Sequence, residues 1–588
     1  MSPTDHDDAQ LISQGEFAAI EAAIHDAYAK TPLIADNSMD ACWQFCQFVE
    51  IYSVFACLRA FDQGSDLGDQ SHLIAELDSV KLAMELALAL IARKLPKQPQ
   101  VSVTHQVFNG QLAETLRRRS LEYAQAYWLF APAKARSTTF WRREGSHILE
   151  TRWPERDQQY WALQRILPLQ APGFTPIWDM IAVLFGPDAI VFEDTPIDWS
   201  VLCQKIAPQV SASGSELSYE LDSEVAAEIY GYFHSQSVYP TTGWVYPWGS
   251  IENVSRYHSA LFTLCIYHLI AVFWGAHRIG ATQLCEHNAC LLIEPSNLNS
   301  KIAQLSGLDA NEVSLITEAL TYGHKTNSPD PALQPLIPVS QTQIAVPGTV
   351  ILTNAWPRNQ MSLHIRLDPD DFHKRSHVFE LQMTSRLVDG SATKPFRLVT
   401  DIKLAKEQID LVLIDDANKT ILLAELRWVL TPGSIKEIHN KQKAVLEKTT
   451  QAQRKLTACE KKLAEVLKRL SCTGDGWRIH AIVAVEGFAG LPSDRPKSIP
   501  IVPSSVLAAA THGFDDLNRL HAFFCSPLWL PRRDADFTGR PTYHSVLGHT
   551  FRTDPVLAAD GLYLGGSFDR YMREANDMTL DDLQAVPW

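Results

Sequence analysis

Hydrophobic positions recur at helical spacing through most of the first half of the chain. Residues 41–61 and 73–95 are long stretches of this kind, and they predict helices that bury one apolar face. Residues 257–277 contain no Asp, Glu, Lys or Arg and are long enough to span a bilayer. Three histidines and Cys265 within that segment favour a buried core helix over a membrane span. The first half is therefore predicted to be mainly α-helical.

Two polar stretches interrupt the helical pattern and suggest domain boundaries. Residues 211–215 are small and polar, and residues 325–338 are rich in proline. A chain of 588 residues is long enough for two to four folded units. The pattern predicts four consecutive segments: a helical domain at 1–210, a second helical domain with a proline-rich linker at 211–340, an α/β domain at 341–526, and a C-terminal extension at 527–588.

After the proline-rich stretch the pattern alternates between helical and strand-like periods. Asp368 and Pro369 are typical of a helix start, and Gly390 of a helix end. Runs rich in β-branched and aliphatic residues then predict strands. The predicted elements are a helix at 368–390, strands at 396–404, 408–414 and 420–429, a long charged helix at 434–470, a strand at 478–485, a short strand at 499–502, and a helix at 514–524. The core order is α-β-β-β-α-β, so the fold class is multidomain, with an α/β domain after a helical region.

An acidic residue interrupts each of two successive apolar strands. Asp410 lies in the run Ile-Asp-Leu-Val-Leu-Ile, and Glu425 lies in the next strand with Arg427 two residues further on the same face. A hairpin with an even-length loop centred between Ala417 and Asn418 places Asp410 opposite Glu425. Facing side chains in such a pair have Cβ atoms about 4.5–5.5 Å apart. Two carboxylates at that separation repel each other unless a cation lies between them.

Carboxylate oxygens alone suit a hard divalent cation, so the pair predicts a site for Mg²⁺ or Mn²⁺. A metal in such a site supplies hydroxide at neutral pH and positive charge beside a phosphate. An ordinary salt bridge between Arg427 and one carboxylate is the alternative interpretation of the same residues.

A carboxylate on the first helix, an aspartate in the second strand and Glu-X-Lys in the third are the marks of the PD-(D/E)XK nucleases. Residues 366–526 resemble this superfamily through Glu380, Asp410 and Glu425-Leu426-Arg427. The resemblance implies a restriction-endonuclease-like fold and a Mg²⁺- or Mn²⁺-dependent nuclease that cuts DNA rather than RNA, in a bacterial setting of defence against foreign DNA. It also implies that Asp410 and Glu425 bind the metal, that Glu380 is a supporting acid, and that Arg427 stabilises the phosphate.

Arg427 stands where the superfamily has lysine. Arginine can bind a phosphate, but it stays protonated and is a poor general base. A substitute amine from the next helix is one solution, with Lys436, Lys441 and Lys443 as the nearest candidates and also as nucleic-acid contacts. A nuclease fold that has lost catalysis and serves as a nucleic-acid-binding or scaffold protein is the alternative.

Charge is unevenly distributed along the chain. The whole protein has a net charge of −15, whereas residues 436–469 carry ten basic and four acidic residues. This stretch predicts either a surface for phosphates or the solvated face of a long helix. An acidic N-terminus and ten scattered cysteines predict a cytoplasmic protein with reduced thiols. No membrane partner is expected, a protein partner for the helical region is one possibility, and the oligomeric state is left open.

Overall fold

The protein is described here from a computed structural model. The structure describes residues 9–62, 71–96, 109–136, 140–143, 148–151, 158–160, 162–163, 177–185, 197–236, 243–391, 395–431, 435–487, 498–539, 542–553, 556–558 and 563–586. Within these ranges the protein is a multidomain α/β protein, mainly helical before residue 368.

The chain forms two compact units that are not consecutive in sequence. One comprises Met1–Ala19, Tyr127–Ala171 and Asp371–Trp588, and the other comprises Ile20–Ala126 and Pro172–Asp370. This division differs from the four consecutive segments that the sequence predicts. The proline-rich stretch 325–338 belongs wholly to the second unit and buries Leu333, Leu336 and Ile337, so it packs into that unit rather than linking two domains.

A five-stranded mixed sheet organises the first unit. Its strands are β1 (Arg397–Leu404), β2 (Glu407–Asp415), β3 (Thr420–Trp428), β4 (Arg478–Glu486) and β5 (Ile501–Pro503), in that spatial order. Strands β1, β2 and β3 are antiparallel, whereas β4 is parallel to β3 and β5 to β4. The helices of this region are α1 (Pro369–Ser391), α2 (Ile435–Lys461), α3 (Leu463–Arg469), α4 (Ser504–Gly513) and α5 (Leu517–Cys525).

The predicted order of elements between residues 368 and 525 is confirmed, with two differences. The long charged helix is not continuous, because Lys462 leaves helical geometry at φ −121° and ψ 34° and separates α2 from α3. Helix α4 was not predicted at all, since its small residues give little periodic signal.

Each face of the sheet is covered by a separate apolar cluster. On one face, Ile421 and Leu423 of β3 pack with Val445, Ala452 and Leu456 of α2. On the other face, residues of β2, β3 and β4 pack with α1, α4, α5 and later helices, through Met383, Leu422, Ala424, Val506 and Phe523 among others. A central sheet covered on both sides explains why its strands are nearly continuous apolar runs.

A second five-stranded sheet in the first unit joins distant parts of the sequence. Its spatial order is Ala9–Leu11, Phe140–Arg143, Ile148–Thr151, His549–Thr553 and Thr542–Val546. The remaining elements of this unit are the strands Phe537–Gly539 and Val556–Ala558, which pair with each other, and the helical segments Pro527–Trp529, Tyr563–Ser567, Phe568–Asp577 and Leu580–Ala585.

The helical segments before residue 368 have the following bounds: Gln14–Ala29, Ser38–Asp62, Ser71–Lys94, Gly110–Arg136, Ile177–Phe185, Trp199–Ile206, Ala207–Gln209, Ser223–Ser235, Ile251–Leu269, Ile270–Gly275, Ala276–Arg278, Thr282–Leu284, Cys285–Asn288, Pro295–Ser306, Ala310–Leu320, Gly348–Leu352 and Trp356–Leu367. The short strands of the second unit are Ser211–Ser213, Glu216–Ser218, Val245–Tyr246, Gly249–Ser250, Leu291–Ile293, Ile337–Pro338 and Ile344–Val346.

Among the described residues, one continuous helical stretch, Ile251–Arg278, is long and apolar enough to cross a membrane, but 89% of its most apolar window is buried inside the protein. His258 and His268 within it are both buried. This burial agrees with the core helix expected from its histidines.

Candidate functional site

The turn between β2 and β3 sets the register of the two acidic strands. Asp415, the last residue of β2, is buried and accepts hydrogen bonds from the backbone N–H groups of Asn418 (2.9 Å) and Leu517 (3.2 Å). These contacts hold a four-residue turn between Asp415 and Thr420, which face each other across the hairpin. The predicted even-length loop is therefore confirmed.

The register brings Asp410 and Glu425 to the step that follows the last pair of the hairpin. The paired positions run from Asp415 and Thr420 to Leu411 and Ala424, and the next step along both strands is Asp410 and Glu425. Regular pairing ends at this step, because the Asp410 carboxylate accepts a hydrogen bond from the backbone N–H of Leu426 at 2.8 Å. The side chain of Asp410 is thus hydrogen-bonded to a backbone N–H group of the neighbouring strand β3.

The pairing of β1 with β2 is interrupted at the same position. Thr400 pairs with Leu411 and Ile402 pairs with Ile409, but Asp401 between them has a positive φ of 51° and has no place in the ladder. Asp410 therefore lies where β2 departs from regular pairing with both neighbours. Irregularities of this kind are how sheets redirect a side chain out of an otherwise buried strand.

Two lysines of α2 lie against the acidic pair. Lys455 Nζ donates to both carboxylate oxygens of Glu425, at 2.7 and 2.6 Å. Lys448 Nζ lies 3.6 Å from Asp410 Oδ2 and 3.8 Å from Glu425 Oε2. One ammonium group therefore binds Glu425 directly, and a second lies within 4 Å of both carboxylates.

The acidic residues differ in their exposure to solvent. The Glu425 side chain is 1% exposed, whereas the Asp410 side chain is 29% exposed. Burial raises the pKa of Glu425, the nearby Asp410 charge raises it further, and the hydrogen bonds from Lys455 oppose both effects. The Asp410 charge is thus one of the causes that raise the pKa of Glu425.

Arg427 and Glu380 form a separate contact next to this cluster. Arg427 Nη1 lies 3.6 Å from Glu380 Oε1, and both side chains are about one-third exposed. The Arg427 Nε atom is buried and has no hydrogen-bond partner among the described residues. The adjacent Trp428 stacks on Phe379 of α1, with ring centroids 4.1 Å apart, and so fixes α1 against the end of β3. The structure thus brings Glu380 to Arg427, two residues along β3 from Glu425.

Among the described side chains, the lysines within 4 Å of the acidic pair are Lys448 and Lys455. Lys443 is exposed on α2, Lys441 is partly buried, and the side chain of Lys436 lies outside the described residues. Lys448 and Lys455 were missed. The helical spacing of the two lysines could have identified them, since both lie within the helix face that also carries the buried Val445, Ala452 and Cys459. A lysine in an apolar face requires a partner.

Within the described residues, no group of three or more His, Cys, Asp or Glu side chains is arranged to hold a metal ion. The potential metal ligands at this site are two carboxylates, and two ammonium groups lie beside them. The cysteines form no disulfide bond within the part of the chain that the structure describes.

No family model, curated protein or solved structure matches this chain.

Proposed function

We propose that the protein is a metal-dependent nuclease that hydrolyses phosphodiester bonds, of DNA in preference to RNA, at the site formed by Asp410 and Glu425. One observation carries this proposal. The carboxylates of Asp410 and Glu425, on neighbouring strands, both lie within 4 Å of a single cationic group. A restriction-endonuclease-like core is part of the proposal, supported by the α-β-β-β-α-β order and the mixed sheet.

The residues present fit a hard divalent cation. Their donors are all carboxylate oxygens, which suit Mg²⁺ or Mn²⁺. The Lys448 ammonium within 4 Å of both carboxylates marks a position where positive charge is favourable. Asp410 and Glu425 would hold the metal, and the partial exposure of Asp410 gives water access to it. When bound, the metal would supply hydroxide at neutral pH and positive charge beside the phosphate.

The other residues of the site orient the ligands and bind the substrate. The Leu426 N–H fixes one oxygen of Asp410, and Lys455 fixes both oxygens of Glu425. Arg427 carries a permanent charge on a side chain that is about one-third exposed, which suits a contact to a phosphate oxygen. Glu380 Oε1 lies 3.6 Å from the guanidinium group of Arg427 and attracts it.

A second candidate function is a nucleic-acid-binding or scaffold protein that has lost catalysis. One observation favours it: Lys455 already binds both oxygens of the buried Glu425, as a purely structural ion pair would. The two candidates differ in whether added metal produces cleavage.

The test is cleavage of DNA and of RNA of the same sequence by the full chain, with Mg²⁺, Mn²⁺ or EDTA. Asp410→Asn keeps an acceptor for the Leu426 N–H but removes the charge, and we expect it to reduce the rate about a thousandfold or more. Asp401→Asn is the matched control, because Asp401 is exposed, lies in the next strand, and has a positive φ that asparagine tolerates. Gel-shift binding without metal-dependent cleavage would overturn the nuclease proposal in favour of the scaffold.

A further inference from the structure

Lys448 and Lys455 contact the acidic pair in different ways. Lys455 makes two short hydrogen bonds to one carboxylate, whereas Lys448 lies 3.6 and 3.8 Å from one oxygen of each carboxylate. These longer distances exceed those of charge-assisted hydrogen bonds, which are about 2.7–2.9 Å. Lys448 is therefore attracted to both acidic groups while making a close bond to neither.

We propose that Lys448 fills the cation position in the resting protein, that a divalent metal displaces it, and that the released ammonium group then contacts the phosphate of the substrate. The second step rests on the proposed nuclease function, whereas the first does not. Lys448 would thus be both a competitor of the metal and the catalytic amine that Arg427 does not provide.

The geometry makes this exchange physically reasonable. A divalent ion is attracted to two carboxylates more strongly than a single ammonium charge at similar distances. The Lys448 side chain is 15% exposed and its partner Asp410 is 29% exposed, so an ion has a route from solvent. The four-carbon stem of lysine allows the ammonium group to move by a few ångströms through rotation about its side-chain bonds. Lys455 stays in place, since its two hydrogen bonds hold the more buried Glu425.

Replacing Lys448 should have opposite effects on metal binding and on DNA cleavage. Lys448→Met removes the competing charge and keeps the length of the side chain. We expect it to bind Mn²⁺ about tenfold more tightly than the wild type, because the two carboxylates lose their internal cation. We expect the same variant to cleave DNA at least tenfold more slowly at saturating Mn²⁺, because the amine is gone. A variant that is merely misfolded loses both properties.

The binding experiment is titration calorimetry of the full chain with Mn²⁺ alone, without nucleic acid. Lys461→Met is the matched control, because Lys461 is an exposed lysine at the end of the same helix. Lys448→Gln serves as the second variant should Lys448→Met fail to fold, as judged by circular dichroism. Equal or weaker Mn²⁺ affinity in the folded Lys448 variant, including no binding by either protein, overturns the competition.

The experiments distinguish failure of the proposed nuclease function from failure of the competition between Lys448 and the metal. Tighter Mn²⁺ binding by Lys448→Met, with no cleavage by any protein, supports the competition and overturns both the nuclease function and the catalytic role of Lys448. Cleavage by the wild type at a rate that Lys448→Met fully retains overturns the catalytic role alone.

Discussion

Lys455 donates hydrogen bonds to both carboxylate oxygens of Glu425, at 2.7 and 2.6 Å, where the two side chains are only 10% and 1% exposed. This is a buried ion pair in the interior of the first unit, between α2 and β3. Removing Lys455 leaves the Glu425 charge with only the more distant Lys448 ammonium group, 3.8 Å away, in a place that water hardly reaches. The pair therefore contributes to the fold whatever the site does chemically.

The first prediction concerns stability. Lys455→Met should lower the free energy of unfolding by about 3 kcal/mol, measured by urea denaturation. Lys443→Met on the exposed part of α2 should change it by less than about 0.5 kcal/mol. The double variant Lys455→Met/Glu425→Leu should recover most of the loss, because no unpaired charge stays buried. A single Lys455→Met variant as stable as its control would show that Glu425 is not held by this pair.

A second prediction concerns the residue that departs from the nuclease pattern. Arg427→Lys restores the residue type of that pattern, yet we expect no increase in cleavage rate, since the amine is proposed to come from Lys448. Lysine lacks the planar fork of donors, so the KM for DNA should rise about fivefold. Arg454→Lys, an exposed substitution on α2, is the control. A faster Arg427→Lys enzyme would place the missing amine at position 427.

The hairpin could be predicted from sequence because its signals are local. A short polar turn between two nearly continuous apolar runs leaves few registers open to β2 and β3. One residue of slip would have moved Asp410 to the opposite face. The contact of Glu380 with Arg427 was not predicted, because it depends on how α1 lies beside the sheet.

The lysines at the site and the two-unit organisation depend on contacts between distant residues. Which lysine of α2 reaches Glu425 is decided by how the helix lies across the sheet, and helical periodicity alone does not specify that. Likewise, Ile148–Thr151 pairs with His549–Thr553, some 400 residues later. Strands of four or five residues give too weak a pattern to predict such a partner.

A third prediction follows from Glu50 in the second unit. Its carboxylate is buried and accepts hydrogen bonds from the backbone N–H and the hydroxyl group of Thr349, the latter at 2.7 Å. Burial nevertheless raises its pKa from 4.5 to about 8. The folded protein therefore binds this proton more tightly than the unfolded chain does. The resulting stability is fully present below about pH 4.5 and is lost as the pH rises to about 8.

The measurement is the free energy of unfolding of the wild type and of Glu50→Gln between pH 5 and 9. Glutamine cannot ionise. The free energy of unfolding of the variant should therefore rise relative to that of the wild type as the pH rises, by a few kcal/mol, on the order of what such a pKa shift represents. Glu224→Gln, which replaces an exposed glutamate in the same unit, is the control. A difference between wild type and Glu50→Gln that is constant with pH would contradict the raised pKa.

The last prediction tests the packing of the long core helix at Gly275, where the π-helical segment Ile270–Gly275 ends. A Cβ atom at Gly275 would lie closer than 3.0 Å to three side-chain atoms of Val210, which is itself buried. Gly275→Ala should therefore lower the free energy of unfolding by about 1–3 kcal/mol in urea denaturation, despite the higher helix propensity of alanine. At Gly231, inside another helix, an added Cβ meets nothing within 4 Å, so Gly231→Ala should raise stability by about 0.5–1 kcal/mol. If both variants are equally stable, Val210 does not pack against Gly275, and the position of the core helix within the second unit differs from the one described.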